Sequence, residues 1–355
     1  MKAIVIRGYG GPEVLELLDW PEPEIGPRDV LVQVHAVTVG RVLDVEVRRR
    51  GADFRAQLPR ILGSDPAGIV TAIGDQVTAF SVGDRVVSTS TLYCGACEYC
   101  RAGLTNACRE HRVVGVHLDG GCAEYCALPE QVLARVPNHV SMEQGACMGV
   151  AYPVAWNLLR ARGGVQAGQD VLVLGAGGGL GIAGILIVRA LGARAIAAAG
   201  SDWKLERCME LLGAEHAVNY GERGWAERAR GATRDGLGVD VVFDNISSPG
   251  LFAECLGLLR PYGRLVTCGS HGGEVVELDA RTLYRSHLTI AGDTGATVDQ
   301  TREVFQAATD GWLAPPPVFH RFPLEDVAAA HAAAESRDLF GRAVVVVREE
   351  EGRAG

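Results

Sequence analysis

The stretch from Asp170 to Leu191 constrains the fold more than any other part of this chain. Asp170-Val171-Leu172-Val173-Leu174 is a short apolar run of the kind buried on both faces of a sheet. Gly175-Ala176-Gly177-Gly178-Gly179-Leu180-Gly181 follows at once, and Leu180 to Leu191 reads as an apolar helix. Strand, glycine-rich turn and helix in immediate succession are the building unit of a parallel sheet. Glycines at that turn let the backbone approach a pyrophosphate, and the following helix aims its first N–H groups at it. Gly175, Gly177, Gly178, Gly179, Leu180 and Gly181 are therefore candidate dinucleotide-binding residues. The uncharged run Val171 to Val188 is long enough to suggest a membrane span, but its six glycines and its strand-turn-helix pattern argue against one.

The same alternation continues on either side of a second strand, Arg194 to Ala199. A helix is expected over Trp203 to Leu212, with strands at Ala217 to Tyr220, Asp240 to Asp244 and Gly263 to Thr267. Residues 151–292 thus read as a doubly wound α/β domain. Residues 1–150 differ: short β-type runs separated by turn residues, with Gly68, Gly74 and Gly83 where strands must bend, fit a small barrel. After Gly292 the chain shows a helix around Thr301 to Ala308, the Pro315-Pro316-Pro317 turn, a helix around Val327 to Ala334 and a strand at Ala343 to Val347. That strand is expected to return to the first domain, so 293–355 is grouped with 1–150. The charged tail Arg348 to Gly355 is expected to be loose.

Cys94, Cys97, Cys100 and Cys108 form a C-x2-C-x2-C-x7-C run. Thiolates so spaced can close a tetrahedron around one Zn²⁺ within a lobe of about residues 93–109; a disulfide pair is the alternative. Four thiolates leave the metal no open position, so one zinc per chain would be structural and chemistry must lie elsewhere. Cys122, Cys126, Cys147, Cys208 and Cys255 have no partner at metal spacing and read as buried thiols. No paired histidine motif occurs among the nine histidines. Acidic residues outnumber basic ones, 43 to 34, with no long basic run, which argues against nucleic acid as a partner. The amino terminus reads as a strand rather than a signal peptide, and the chain as cytoplasmic, with no membrane association.

Cofactor choice is read after the second strand, at Ala199-Gly200-Ser201-Asp202-Trp203-Lys204. An acidic side chain there would pair with the ribose hydroxyls of NAD(H). Gly200 instead leaves room for a 2′-phosphate, Ser201 can donate to it and Lys204 can neutralise it, so NADP(H) is preferred over NAD(H). The alternatives are that Ser201 caps the helix, that Lys204 lies on a solvated face, and that Asp202 restores some NAD(H) tolerance.

Taken together these motifs resemble the medium-chain dehydrogenase/reductase superfamily, from the glycine spacing of the first domain to Phe340-Gly341-Arg342-Ala343-Val344. The resemblance implies a GroES-like β-barrel catalytic domain plus a Rossmann doubly wound parallel sheet domain. It also implies hydride transfer between nicotinamide and a small-molecule substrate in the cleft between them, and a homodimer or homotetramer. By family position, Asn245, Cys268 and Gly269 should line the cofactor groove, and Tyr220 should approach the adenosine phosphate.

Departures from the family pattern direct the functional reading. The three positions at which zinc alcohol dehydrogenases hold their catalytic metal read here as Arg41, Ser64 and Val150, none suited to zinc. No catalytic zinc is expected. Without a Lewis acid, hydride is better delivered to an activated carbon, an α,β-unsaturated carbonyl or a quinone, than exchanged with a simple alcohol. Arg41 either stabilises developing negative charge on substrate or pairs with Asp44 or Asp65. Ser64 either donates to a substrate oxygen or fills the space of the missing histidine. Asp44 is expected near the nicotinamide, where it can orient Arg41, and Tyr152 is either a proton donor or packing. An atypical zinc-type alcohol or polyol dehydrogenase and a catalytically silent NADPH-binding protein are the other classes left open.

Overall fold

The computed structural model describes residues 1–350 except 270, 271, 274 and 337. The chain divides into two compact units. One comprises Met1–Val150, Thr297–Gly311 and Pro315–Gly355, and the other Ala151–Ala296 and Trp312–Ala314. Besides residues 293–296, the short piece Trp312–Ala314 thus departs from the grouping of all of 293–355 with the first domain. Aromatic packing explains it: the Trp312 ring lies 5.7 Å from that of Trp156, and the Ala314 carbonyl accepts a 2.8 Å hydrogen bond from Tyr152 Oη.

The first unit is built around one long strand, Asp29–Val39. Its central apolar residues Val30, Val32 and Val34 alternate with less buried neighbours, and the strand is wholly buried from His35 onward. It pairs antiparallel with Ala67–Ile73, Tyr125–Pro129 and Ala343–Val346, the last with Ala343 opposite Val39. The resulting seven-stranded sheet continues through Arg85–Ser88 to Leu133–Arg135 on one side and to His320–Pro323 on the other. A small sheet of Glu16–Asp19, Lys2–Ile6 and Arg60–Ile61 adjoins it through the Ala3–Ala123 bridge. Gly74 to Val77 form a turn: Gly74 N donates to Asp29 O at 2.8 Å, and Val77 N to Gly74 O at 3.1 Å. A Cβ at Gly74 would run into the carbonyls of Gly26 and Pro27, so no other residue fits this bend without movement.

The charged tail is also more ordered at its start than its composition suggests. Arg348 N donates to His35 O at 3.1 Å, and Glu350 pairs with Arg85 and accepts from Met142 N. Residues 351–355 lie outside the described residues.

The second unit is a six-stranded, all-parallel sheet. In spatial order its strands are His216–Asn219, Arg194–Ala199, Asp170–Leu174, Val239–Asp244, Leu259–Thr267 and Thr289–Gly292. Asp170–Leu174 is buried at every position, as its unbroken apolar run requires when helices cover both faces. The helix Gly179–Ala190 follows it, and Leu172, Ile196, Val242, Phe252 and Leu265 meet in the core. The strand order reverses beside Asp170–Leu174, which places the glycine turn at the switch point of the sheet. No helix among the described residues is long and apolar enough to cross a membrane.

Candidate functional site

The glycine turn leads directly into the start of a helix. Gly175 adopts φ +62°, a left-handed conformation that costs glycine little, and Gly178 is the N-cap of a twelve-residue helix. Gly179, Leu180 and Gly181 form its first turn, where N–H groups point outward without intrahelical partners. Asn245 braces the turn from beneath: Nδ2 donates to Leu174 O at 2.6 Å, and Oδ1 occupies the space a Cβ on Gly175 would need. Gly269 packs against the Asn245 main chain in the same way, and Cys268 beside it is half-buried, its thiol pushed up to about 12 mainly by burial. Asn245, Cys268 and Gly269 therefore converge at the C-terminal ends of neighbouring strands.

Around the end of Arg194–Ala199, Ser201 is the N-cap residue of the helix Asp202–Leu212, yet its side chain makes no capping bond. The capping alternative for this hydroxyl is thus not what the structure contains. Lys204 reaches across Gly177, its Cδ 2.8 Å from where a Cβ would stand, so its stem lies on the glycine turn and not on a remote solvated face. The Asp202 carboxylate accepts from Asn219 Nδ2 at 2.7 Å. The Tyr220 ring stands over Gly200, about 3.1 Å from a notional Cβ there. Gly175, Gly177, Ser201, Lys204 and Tyr220 are thus drawn together from separate connections of one sheet.

In the first unit, Arg41, Asp44, Ser64 and Asp65 lie where the long strand ends. Arg41–Glu46 forms a single wide helical turn in which both Asp44 N and Val45 N donate to Gly40 O at 3.1 Å. Asp44 is buried, and its oxygens accept from Gly40 N at 2.6 Å and Gly63 N at 3.0 Å. Asp65 is buried beside it and accepts from Thr38 N at 3.0 Å and from Thr38 Oγ1. A cation beside it is Arg342, with Nη1 at 3.5 Å. The same guanidinium approaches Asp44: a Cβ on Gly40 would stand 3.1 Å from both Arg342 Nη1 and Asp44 Oδ2. Burial, reinforced by the Asp65 charge, raises the Asp44 carboxyl from its ordinary 3.8 to about 7. Burial also raises Asp65, against the pull of Arg342 and Thr38.

Arg41 opens the wide turn and is half-buried, Ser64 is buried, and Val150 ends the helix Met142–Gly149. Cys147 on that helix is buried, which pushes its thiol up to about 12. Tyr152 belongs to the second unit and is fully buried, with its hydroxyl proton directed at the Ala314 carbonyl. That geometry fits the packing alternative for Tyr152, whose hydroxyl ties Trp312–Ala314 in place. Thr38 escapes a reading of the sequence because nothing local marks it, and the closing motif that contains Arg342 does not reveal which carboxylate it meets. A further unmarked residue, Arg48, is buried in the turn after Asp44, where Nε donates to Gly10 O at 3.2 Å and Nη2 pairs with Glu335.

The four lobe cysteines bring their sulfur atoms within 4.8 Å of one another and are the one group of three or more metal-ligating side chains among the described residues. A tetrahedral Zn–S centre with bonds near 2.3 Å needs sulfur separations of about 3.8 Å; Cys94 Sγ and Cys100 Sγ are 4.0 Å apart. Backbone N–H groups already point at the sulfurs, Cys94 N at Cys108 Sγ and both Ala96 N and Cys97 N at Cys94 Sγ. Such N–H···S bonds favour thiolates, so these residues fit a metal of the zinc type.

The alcohol dehydrogenase GroES-like domain family matches residues 26–138, and the zinc-binding dehydrogenase family matches 179–310. Human quinone oxidoreductase is 31% identical over 340 residues, 93% of each chain. The chain belongs to the medium-chain dehydrogenase/reductase superfamily. It is an oxidoreductase of that superfamily, with an NAD(P)-type cofactor and small-molecule substrates. Among solved structures, an NAD-dependent alcohol dehydrogenase superposes with TM-score 0.91 and 38% identity, over 98% of this chain and 100% of that one. A crotonyl-CoA carboxylase/reductase superposes with TM-score 0.90 and 28% identity, over 100% and 90%.

Proposed function

We propose that this superfamily member is an NADPH-dependent reductase that delivers hydride to an activated carbon, the β-carbon of an α,β-unsaturated carbonyl or a quinone carbon, without catalytic zinc. One observation carries the reading. The positions that would ligate a catalytic metal hold Arg41, Ser64 and Val150, and the carboxylates beside them accept from Gly40, Gly63, Thr38 and Arg342. A divalent ion would have to displace those donors and stand near the guanidinium of Arg342. Cys147, held protonated by burial, offers no ready thiolate.

When bound, the reduced nicotinamide supplies the hydride. The hydrogen and its electron pair form the new C–H bond at the β-carbon, the C=C π pair shifts toward the carbonyl oxygen, and a proton completes the α-carbon. Charge on that oxygen is spread by conjugation, so a guanidinium such as Arg41 or a hydroxyl such as Ser64 suffices as donor. Asp44 orients the turn that carries Arg41 through its bonds to Gly40 and Gly63. The Ser201 hydroxyl, left without a capping bond, and Lys204, laid on the turn, favour a 2′-phosphate and hence NADP(H) over NAD(H). The cysteine quartet holds one structural zinc, and the assembly is a homodimer or homotetramer.

The test is NADPH oxidation against a panel of enones, quinones and aldehydes, with zinc counted on the same sample. Turnover with a conjugated carbonyl or quinone, one zinc per chain and indifference to chelation of any looser metal support the proposal. Two zincs per chain with chelator-sensitive alcohol oxidation would replace it with an alcohol dehydrogenase, in line with the 38% identical NAD-dependent enzyme. Tight NADPH binding with no turnover on any substrate would indicate a silent binder.

A further inference from the structure

At the cysteine lobe, the first unit holds an open groove of about 580 Å³ whose lining includes Arg55, Leu92, Tyr93, Arg112 and His117 together with Cys94 of the quartet itself. Its charge runs against that of the chain: three guanidinium groups face one carboxylate, Glu110, in a protein of net charge −9. Arg109 is engaged elsewhere, paired with Glu98 and set 5.9 Å over the Tyr99 ring. Arg55 and Arg112 are exposed, and among the described residues neither guanidinium has a hydrogen-bond or ion-pair partner.

The backbone holds Arg55 in place at the end of the short turn Gly51–Phe54. Arg55 stands at φ 57°, a left-handed conformation that bulky side chains rarely adopt. Its neighbours fix it there: Arg55 N donates to Ala52 O at 3.1 Å, Ala56 N to Gly51 O at 2.9 Å, and Tyr9 Oη to Ala56 O at 2.7 Å. The wall is fixed as well, because His117 Nδ1 accepts from Val113 N at 3.0 Å and Leu92 is buried. Burial first, and then the neighbouring His111, Arg60 and Arg112, lower the His117 pKa, so this wall stays neutral while the arginines carry the charge.

We propose that this groove binds a phosphate monoester carried on a small apolar or aromatic body. Arg55 and Arg112 hold the dianion, and Leu92 and Tyr93 contact the body. A planar guanidinium fork can meet two phosphate oxygens at once. The site lies wholly within the first unit and does not depend on the reductase reading. The competing explanation is that the arginines only offset the negative charge of four thiolates around a metal.

The experiment is calorimetric titration of the zinc-loaded full chain, at low ionic strength and with NADPH saturating the nucleotide turn. Phenyl phosphate, benzoate and phenol are the probes, applied to the wild type and to Arg55→Ala/Arg112→Ala. Both residues are exposed, so the variant should fold; circular dichroism checks this, and Arg112→Ala alone provides a second variant. The expected result is one phenyl phosphate per chain, benzoate and phenol at least tenfold weaker, and at least a tenfold loss in the double variant with zinc content unchanged. Equal binding by wild type and double variant would overturn the proposal, as would benzoate binding as tightly as phenyl phosphate. Loss of zinc from the variant with no phosphate binding by the wild type would assign the arginines to the metal centre instead.

Discussion

The cysteine lobe and the carboxylate pocket of the first unit are both clusters of potential metal ligands, and they have opposite fates. In the lobe, backbone N–H groups approach sulfur atoms that remain grouped within 4.8 Å, which leaves a cage ready for a cation. In the pocket, Asp44 and Asp65 are taken up by main-chain donors, a threonine and Arg342. Ligand type alone does not make a metal site. What decides is whether the donor atoms keep free lone pairs and a shared centre after the rest of the protein has bonded to them.

Four perturbations bear on this contrast, in descending order of effect. Arg342→Met would leave the Asp65 carboxylate buried without its cation; unfolding in urea should show a loss of about 3–5 kcal/mol. A loss under about 1 kcal/mol would mean that the pocket admits water or another cation. The Asp44 carboxyl lies above its unfolded value of 3.8, at about 7, so the folded state binds the extra proton. Its contribution to stability is fully present below about pH 4 and is lost as pH rises toward 7, on the order of 1–4 kcal/mol. Comparing the melting temperatures of wild type and Asp44→Asn across that range should show the wild type losing ground to the variant as pH rises.

Cys97→Ser should empty the lobe of metal and speed amide exchange over residues 94–108, with a cost of about 2–3 kcal/mol confined to that lobe. If exchange accelerates equally in Asp29–Val39, the lobe and the sheet are one cooperative body and the contrast fails. Lys204→Ala should weaken NADPH about tenfold, close to 1.4 kcal/mol, while leaving NADH nearly unchanged. Equal weakening of both cofactors would place the lysine over the pyrophosphate rather than the 2′-phosphate.

How much of this is legible in the sequence follows from distance along the chain. The turn Gly175 to Gly181 and the run Cys94 to Cys108 are each contiguous, so period and spacing are enough to reveal them. The pocket is assembled across separations of 27 residues between Thr38 and Asp65, and 277 between Asp65 and Arg342. No local pattern marks such partners; they become evident only once Ala343–Val346 is seen against Asp29–Val39. The pairing of buried Arg48 with half-buried Glu335 is hidden for the same reason, at a separation of 287. The tail misleads differently: charge suggests solvent for Glu350, but Arg85 and the Met142 amide give that carboxylate buried-edge partners. Tyr152 stays ambiguous until Ala314 is seen within its reach.

The distance between Asp65 and Arg342 also imposes an order in time. All of the second unit's principal segment, Ala151–Ala296, is synthesised between the two, so a nascent chain displays the acid long before its counter-charge exists. At ordinary ribosomal speed those 277 residues take roughly 14–55 s. During that interval the acid must be either hydrated or protonated, and the first unit cannot close over it as an ion pair. The nucleotide-binding segment therefore emerges while the barrel is still open, and the barrel is completed last.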